Sequence, residues 1–199
     1  MLNPLADGGD RIAARAAVAL GVPLFVPLPF ARDEYERDFE TPESLAEFRE
    51  LVSGARIREL PLAPGIRADE VAVRGPARNR QYAQLGMFIS SHSQVLLALW
   101  DGKPSDALGG TAQVVDYHIT NAMPWIEKRD IAPNLLADDE SDLVYHVTCS
   151  RRLAPGSESG AVAAGAARWL TADGGTPVNV GMPAANRAVF RQMEQFNTD

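Results

Sequence analysis

The chain has 199 residues, 46% apolar and 23% charged, with a formal net charge of −7. That length suits one domain whose core needs no disulfides, and the single cysteine, Cys149, excludes an intrachain disulfide and any multi-cysteine metal site. No apolar run reaches the ~20 residues of a membrane helix, and the opening MLNPLADGGD lacks the basic start and apolar stretch of a secretory signal. A soluble, cytoplasmic protein with no membrane partner is therefore expected. The acidic balance disfavours nucleic acid, whose binders use basic surfaces to displace counterions.

Gly8-Gly9 precede DRIAARAAVAL (10–20), which predicts a helix with Ile12, Ala16, Ala19 and Leu20 on its inner face. Gly21 closes it. VPLFVPL (22–28) predicts a buried strand with ends made irregular by Pro23 and Pro27. FARDEYERDF (30–39) reads as a loop running into a short helix, a solvated face of mixed charge in which Arg32 and Arg37 sit among acids. Thr41-Pro42-Glu43-Ser44 is a helix start, with a Thr cap, Pro in the first turn and an acid at the positive dipole end. That helix runs to about Ser53 with Leu45, Phe48, Leu51 and Val52 inward. ARIREL (55–60) alternates and predicts a strand with one wet face. Residues 61–76 read as a loop, and 78–92 as a helix with Tyr82, Leu85 and Ile89 on one face.

VLLALW (95–100) predicts a buried strand, 111–121 a helix, and LVYHVT (143–148) a later strand. Residues 154–167 are Gly/Ala/Ser-rich, 174–181 turn-like, and 185–196 suit a final helix. The alternation predicts an α/β fold: a Rossmann-like, mostly parallel sheet with helices on both faces. Only residues 1–5 precede the first glycine turn, so the first strand is short or missing. A missing strand bares a sheet edge and favours a homo-oligomer. Residues 1–152 form the expected domain, and 153–199 a linker or partner-packing segment.

Two glycine turns, Asp7-Gly8-Gly9-Asp10-Arg11 and Gly109-Gly110-Thr111, each open a predicted helix. Glycine lets a backbone approach an anion, and a helix's first N–H groups hold it. The two turns read either as walls of one phosphate or ribose site or as ordinary turns of an α/β fold. Neither matches the dinucleotide or Walker pattern. Thr111 caps its helix, donates to phosphate, or does both. Asp101 is a turn residue or a ribose contact. Arg11 pairs with phosphate, or with Asp7 or Asp10. His92, His118 and His146 lack metal-ligand spacing, so no metal is expected. His118 lies seven positions beyond Thr111 and reads as a surface or packed residue, and Cys149 as a structural thiol.

Four pieces, PLADGGDRIAARAAVALGVPLFVPLPF (4–30), RDEYERDF (32–39), SQVLLALWDG (93–102) and GGTAQVV (109–115), together resemble the SLOG superfamily. This Rossmann-like group includes the Lonely Guy phosphoribohydrolases and the DNA-processing protein A fold. The likeness covers residues 1–152 and is closest to bacterial members of unassigned biochemistry. It implies a nucleotide or nucleotide-derived ligand, with no other cofactor, at Gly8, Gly9, Asp10, Arg11, Asp101, Gly109, Gly110, Thr111 and Gln113. The phosphoribohydrolases carry PGGxGTxxE, whose glutamate takes part in N-glycosidic cleavage. Here no proline precedes the glycines, and Gln113 stands where the first acid could fall. A glutamine hydrogen-bonds a ribose but does not act as a carboxylate base. The expectation is thus a sensor-type nucleotide-binding domain. The alternative is a phosphoribohydrolase or deoxyribosyltransferase, for which Asp10, Asp101 and Asp116 are the candidate acids. DNA binding through the fold shared with DNA-processing protein A is disfavoured by the charge.

Overall fold

The computed structural model describes residues 1–120, 143–149, 165–171, 174–177, 187, 190, 191 and 194. They belong to two compact units, Met1–Ile89 with Asp106–Gly110, and Ser90–Ser105 with Thr111–Asp199. The expected boundary near residue 152 lies outside the described residues. So does most of the expected final helix, although positions 187, 190, 191 and 194 are helical. Among the described residues, no helix is long and apolar enough to cross a membrane.

The first unit opens with a single parallel bridge, Leu2 to Phe25, so the first strand is short. Helix α1 (Gly9–Ala19) follows, then strand β1 (Phe25–Leu28), the short helix α2 (Arg32–Tyr35) and a 3-10 turn (Glu36–Asp38). Helix α3 (Pro42–Ser53) leads to strand β2 (Arg56–Glu59), which pairs in parallel with β1 from Phe25↔Arg56 to Leu28↔Glu59. Thr41 caps α3 as its sequence predicts, its Oγ1 accepting from the Ser44 N–H at 3.1 Å. Helices α4 (Ala68–Val71) and α5 (Pro76–Ser91) complete the order. The one-turn α4 falls where a loop is expected; the Glu70 carboxylate reaches back to the Arg67 N–H at 2.8 Å and closes that turn.

The core of this unit gathers Leu5, Ala14, Val26, Leu28, Phe30, Tyr35, Phe39, Phe48 and Val52. Tyr35 meets Phe30, Phe39 and Phe48 edge-on, with ring centroids 6.1, 5.3 and 5.7 Å away. These are favourable quadrupole geometries, worth ~1 kcal/mol each beyond area burial. The buried Gln81 side chain holds three backbone groups: its Nε2 donates to the Pro29 and Pro61 carbonyls at 2.5 and 2.8 Å, and its Oε1 accepts from the Ala63 N–H at 3.1 Å.

Two further expectations fail here. Helix α1 turns the opposite face inward: Arg11, Ala13, Ala14 and Ala17 are buried, while Ile12 and Leu20 are 54% and 80% exposed. Alanines allow the helix a close approach to the core, and the large aliphatics would not fit there. Strand β2 is exposed along its whole length rather than on one face.

The second unit holds strand β3 (Val95–Trp100), helix α6 (Thr111–Thr120) and strands β4 (Leu143–Thr148), β5 (Ala167–Thr171) and β6 (Gly174–Pro177). Strand β4 pairs in parallel with β3, from Val95↔Leu143 to Trp100↔Thr148. Strand β5 runs antiparallel to β4, and β6 antiparallel to β5. The fold is α/β, but the described strands form a two-stranded and a four-stranded sheet, the latter mixed, rather than one mostly parallel sheet. Strand β6 occupies a stretch read as turn-like, and β5 begins where the Gly/Ala/Ser-rich stretch 154–167 ends, in residues for which the sequence reading predicts no element. Their pairing with β4 supplies what local propensity does not. Helix α6 packs Val115 and Ile119 on Leu96, Ala98, Val144 and Leu170. The other face of β3 is not fully buried, with Leu97 41% exposed.

Replacing Thr41 by Ala removes the α3 cap and should lower unfolding free energy by ~1 kcal/mol. Urea denaturation followed by circular dichroism measures this.

Candidate functional site

The first glycine turn is built by side chains that fix an unusual backbone. Leu5 is fully buried with φ 58°, a left-handed conformation that costs a branched residue ~1–2 kcal/mol. Asn3 holds it: its Oδ1 accepts from the Leu5 N–H at 2.8 Å, and its Nδ2 donates to the Asp10 carbonyl at 2.9 Å. Gly8 then takes φ 94° and ψ −120° at the N-cap of α1, and no side chain caps the helix. A Cβ at Gly8 would meet no atom within 4 Å. The turn thus presents backbone to open space, with Gly9 and Asp10 in the first turn behind it.

Arg11 points the other way. Its side chain is 2% exposed. Nε donates to the Leu5 carbonyl at 3.2 Å, and Nη1 to the Ser44 carbonyl at 2.6 Å and Glu47 Oε2 at 3.0 Å. Nη2 lies 3.1 Å from Asp7 Oδ1, and the guanidinium stacks 4.5 Å from the centroid of Phe39. The Asp7 pairing weighed from sequence is the arrangement found, and this cation is engaged inside the fold.

Asp10 has a distinct chemistry. Burial pushes its carboxyl up to about 6, against the lowering effect of a hydrogen bond from the Ala6 backbone. A helix N-terminus also favours a carboxylate, by ~0.3–1 kcal/mol. Desolvation outweighs both, so the group titrates near neutrality. Sequence spacing marked Asp10 as a candidate acid but carried no sign of this burial.

The other expected residues divide between the units. Gly109 and Gly110 belong with the first. Gly109 has φ 77°, and a Cβ there would meet the Ala83 N at 2.7 Å and the Tyr82 carbonyl carbon at 2.8 Å. Its glycine is needed for backbone-to-backbone packing on α5, a reason independent of any ligand. A Cβ on Gly110 would sit 3.0 Å from the Ala107 carbonyl oxygen, which itself accepts from the Gly110 N–H at 3.0 Å. Within this unit the Tyr82 ring lies 6.3 Å from that of Tyr35, whose hydroxyl donates to the Pro4 carbonyl at 3.1 Å. Tyr82 also donates to Asp38, which takes Arg78 Nη2 at 2.7 Å.

Asp101, Thr111, Gln113 and Asp116 belong to the second unit. Asp101 is a turn residue, its Oδ1 accepting from the Lys103 N–H at 3.1 Å. Thr111 is exposed at the start of α6, Gln113 is half-buried, and Asp116 is exposed along the helix. His118 is a packed residue. Its Nε2–H donates to the Leu143 carbonyl at 3.2 Å, Nδ1 accepts from Ser90 Oγ at 2.8 Å, and burial lowers its pKa. Sequence reading passed over the role of the other buried histidine, His146, which accepts from Arg168 Nε at 3.0 Å; the contact depends on cross-strand register, which no sequence signal shows. Among the described residues, no group of three or more His, Cys, Asp or Glu is arranged to hold a metal ion.

No family model, no curated protein and no solved structure matches this chain.

Two tests separate structural from chemical roles. Arg11→Met strips a buried cation from two acids and two carbonyls and should cost ~3 kcal/mol of stability, measured by denaturant titration. Asp10 ionises near 3.8 unfolded and about 6 folded. Between those values the folded chain holds the extra proton, so this group's contribution to stability falls as pH rises. Asp10→Asn should therefore stabilise the protein by ~2 kcal/mol more at about pH 7.5 than at about pH 3.5. An equal effect at both pH values refutes the assignment.

Proposed function

We propose that the chain is a Rossmann-like, SLOG-type domain that binds a nucleotide or nucleotide-derived ligand in a sensor-type role. The observation that carries this reading is the first glycine turn. Gly8, in a conformation that side chains rarely adopt, opens the uncapped, 11-residue helix α1 beside open space. Backbone N–H groups at such a helix start attract phosphate through hydrogen bonds and the positive dipole end. A partly protonated Asp10 carboxyl beside them repels the anion less than a full carboxylate does and adds a donor. The resemblance at 4–39 and 93–115 supports the same ligand class. The sensor assignment follows from Gln113, which offers no carboxylate at the place of the phosphoribohydrolase acid.

One observation favours a second reading, cleavage of an N-glycosidic bond. A carboxyl ionising at about 6 suits general acid catalysis near neutral pH. Protonated Asp10 would give its proton to the departing base. Water would add to the anomeric carbon, and its released proton would return to Asp10. Asp101 and Asp116 are weaker candidates, the first because it closes a turn and the second because it is exposed.

Thermal shift with nucleoside monophosphates, NAD and cyclic nucleotides, followed by chromatography for free base, tests both readings. The sensor reading expects a raised melting temperature without base release, and loss of that shift in Gly8→Ala when measured against that variant's own unliganded melting temperature, which backbone strain lowers. Base release abolished by Asp10→Asn would establish the enzyme instead. No shift with any of these ligands would overturn both.

A further inference from the structure

The second unit contains a cation, Arg168, for which no ion pair is found among the described residues, held at the end of the sheet where α/β folds place their ligands. Strands β3 and β4 are parallel, and α6 lies between them in sequence and packs on both. Such a helix runs back along the strands, so its start lies toward their carboxyl ends. Register sets which side chains share that end. Trp100 pairs with Thr148, and His146 with Arg168 on β5. His146 and Thr148 are two apart on one strand and emerge on one face. The rings of Trp100 and His146 lie 5.2 Å apart.

His146 orients the arginine. Its Nε2–H donates to the Trp100 carbonyl at 3.0 Å, because that carbonyl can only accept. This leaves Nδ1 with a lone pair, which receives Arg168 Nε–H at 3.0 Å. The guanidinium is thereby turned over the β3 exit, where a Cβ on Gly102 would come within 3.3 Å of Nη2. Gly102 has φ 76° and no side chain to block that approach. Among the described residues no carboxylate forms an ion pair with Arg168. A second observation is independent of the cation. The hydroxyl of Thr148, a residue 5% exposed, is buried and has no hydrogen-bond partner among the described residues. A buried orphan hydroxyl is destabilising unless something pairs with it.

We propose that Arg168, oriented by His146 as a positioning residue, binds the phosphate of a small ligand at the carboxyl ends of β3 and β4, with Thr148 Oγ1 as a second polar contact. The fork of Nη1 and Nη2 donates two parallel hydrogen bonds to phosphate oxygens. The ligand's identity as a nucleotide rests on the reading above, whereas its phosphate is read from this site alone.

Isothermal titration of the full chain with inorganic phosphate, pyrophosphate and AMP tests the assignment. Pyrophosphate and AMP should bind, and Arg168→Gln should weaken both on the order of tenfold or more, with an unliganded melting temperature close to the parent's. A variant that binds as tightly as the parent overturns the proposal and leaves the nucleotide reading standing. Pyrophosphate binding that depends on Arg168, with no binding of AMP, sustains the anion site and counts against the nucleotide. No binding of any of the three overturns the site. Should Arg168→Gln fail to fold, the unmodified protein decides: pyrophosphate should slow phenylglyoxal modification of Arg168, mapped by peptide mass spectrometry, and an unchanged rate overturns the proposal.

Discussion

The buried guanidinium of Arg11 is the constraint around which the first unit is arranged. One planar cation ties the Leu5 and Ser44 carbonyls to the Glu47 and Asp7 carboxylates and lies against Phe39. The N-terminal segment, α1, α3 and the exit of the 3-10 turn therefore share one anchor. A buried ion pair of this kind is weak evidence of net stabilisation, since desolvation offsets much of the attraction. Its geometric effect is clear: it fixes where the Leu5 carbonyl sits and so helps to hold a left-handed leucine beside a left-handed glycine. A second buried arginine repeats the device. Arg78 reaches Asp38 at 2.7 Å and stacks 4.3 Å from the Phe30 centroid.

What could be read from sequence follows from which interactions are local. The α3 start was legible because Thr41, Pro42 and Glu43 act within one turn. Strands β3 and β4 were legible because their apolar runs leave no alternative, and both match residue for residue. Helix α1 was placed correctly but turned the wrong way. Its apolar stripe follows Ile12 and Leu20, whereas the core selects Ala14 and Ala17 for their size and Arg11 for its partners, none of which is visible in periodicity. Strands β5 and β6 were missed because ARWLT and GGTP become strands only by pairing with a neighbour.

The candidate site shows the same division. Glycine turns were legible as turns, yet their reasons differ: Gly8 faces open space, whereas Gly109 is required by the backbone of α5. Asp101 was legible as a turn residue. The raised pKa of Asp10 and the His146–Arg168 contact were not, since burial and cross-strand register are properties of the folded chain. Asp10 concerns how charge is suppressed next to a helix start, and Arg168 how charge is presented at a strand end. The two act in different units and by opposite means.

The path of the chain has a consequence for how this protein can be divided. Residues 106–110 belong to the first unit although the segments on both sides belong to the second, and Gly109 lies against the peptide joining Tyr82 to Ala83. Neither unit is an unbroken stretch of sequence. A cut at a single point in the chain therefore cannot release either unit whole.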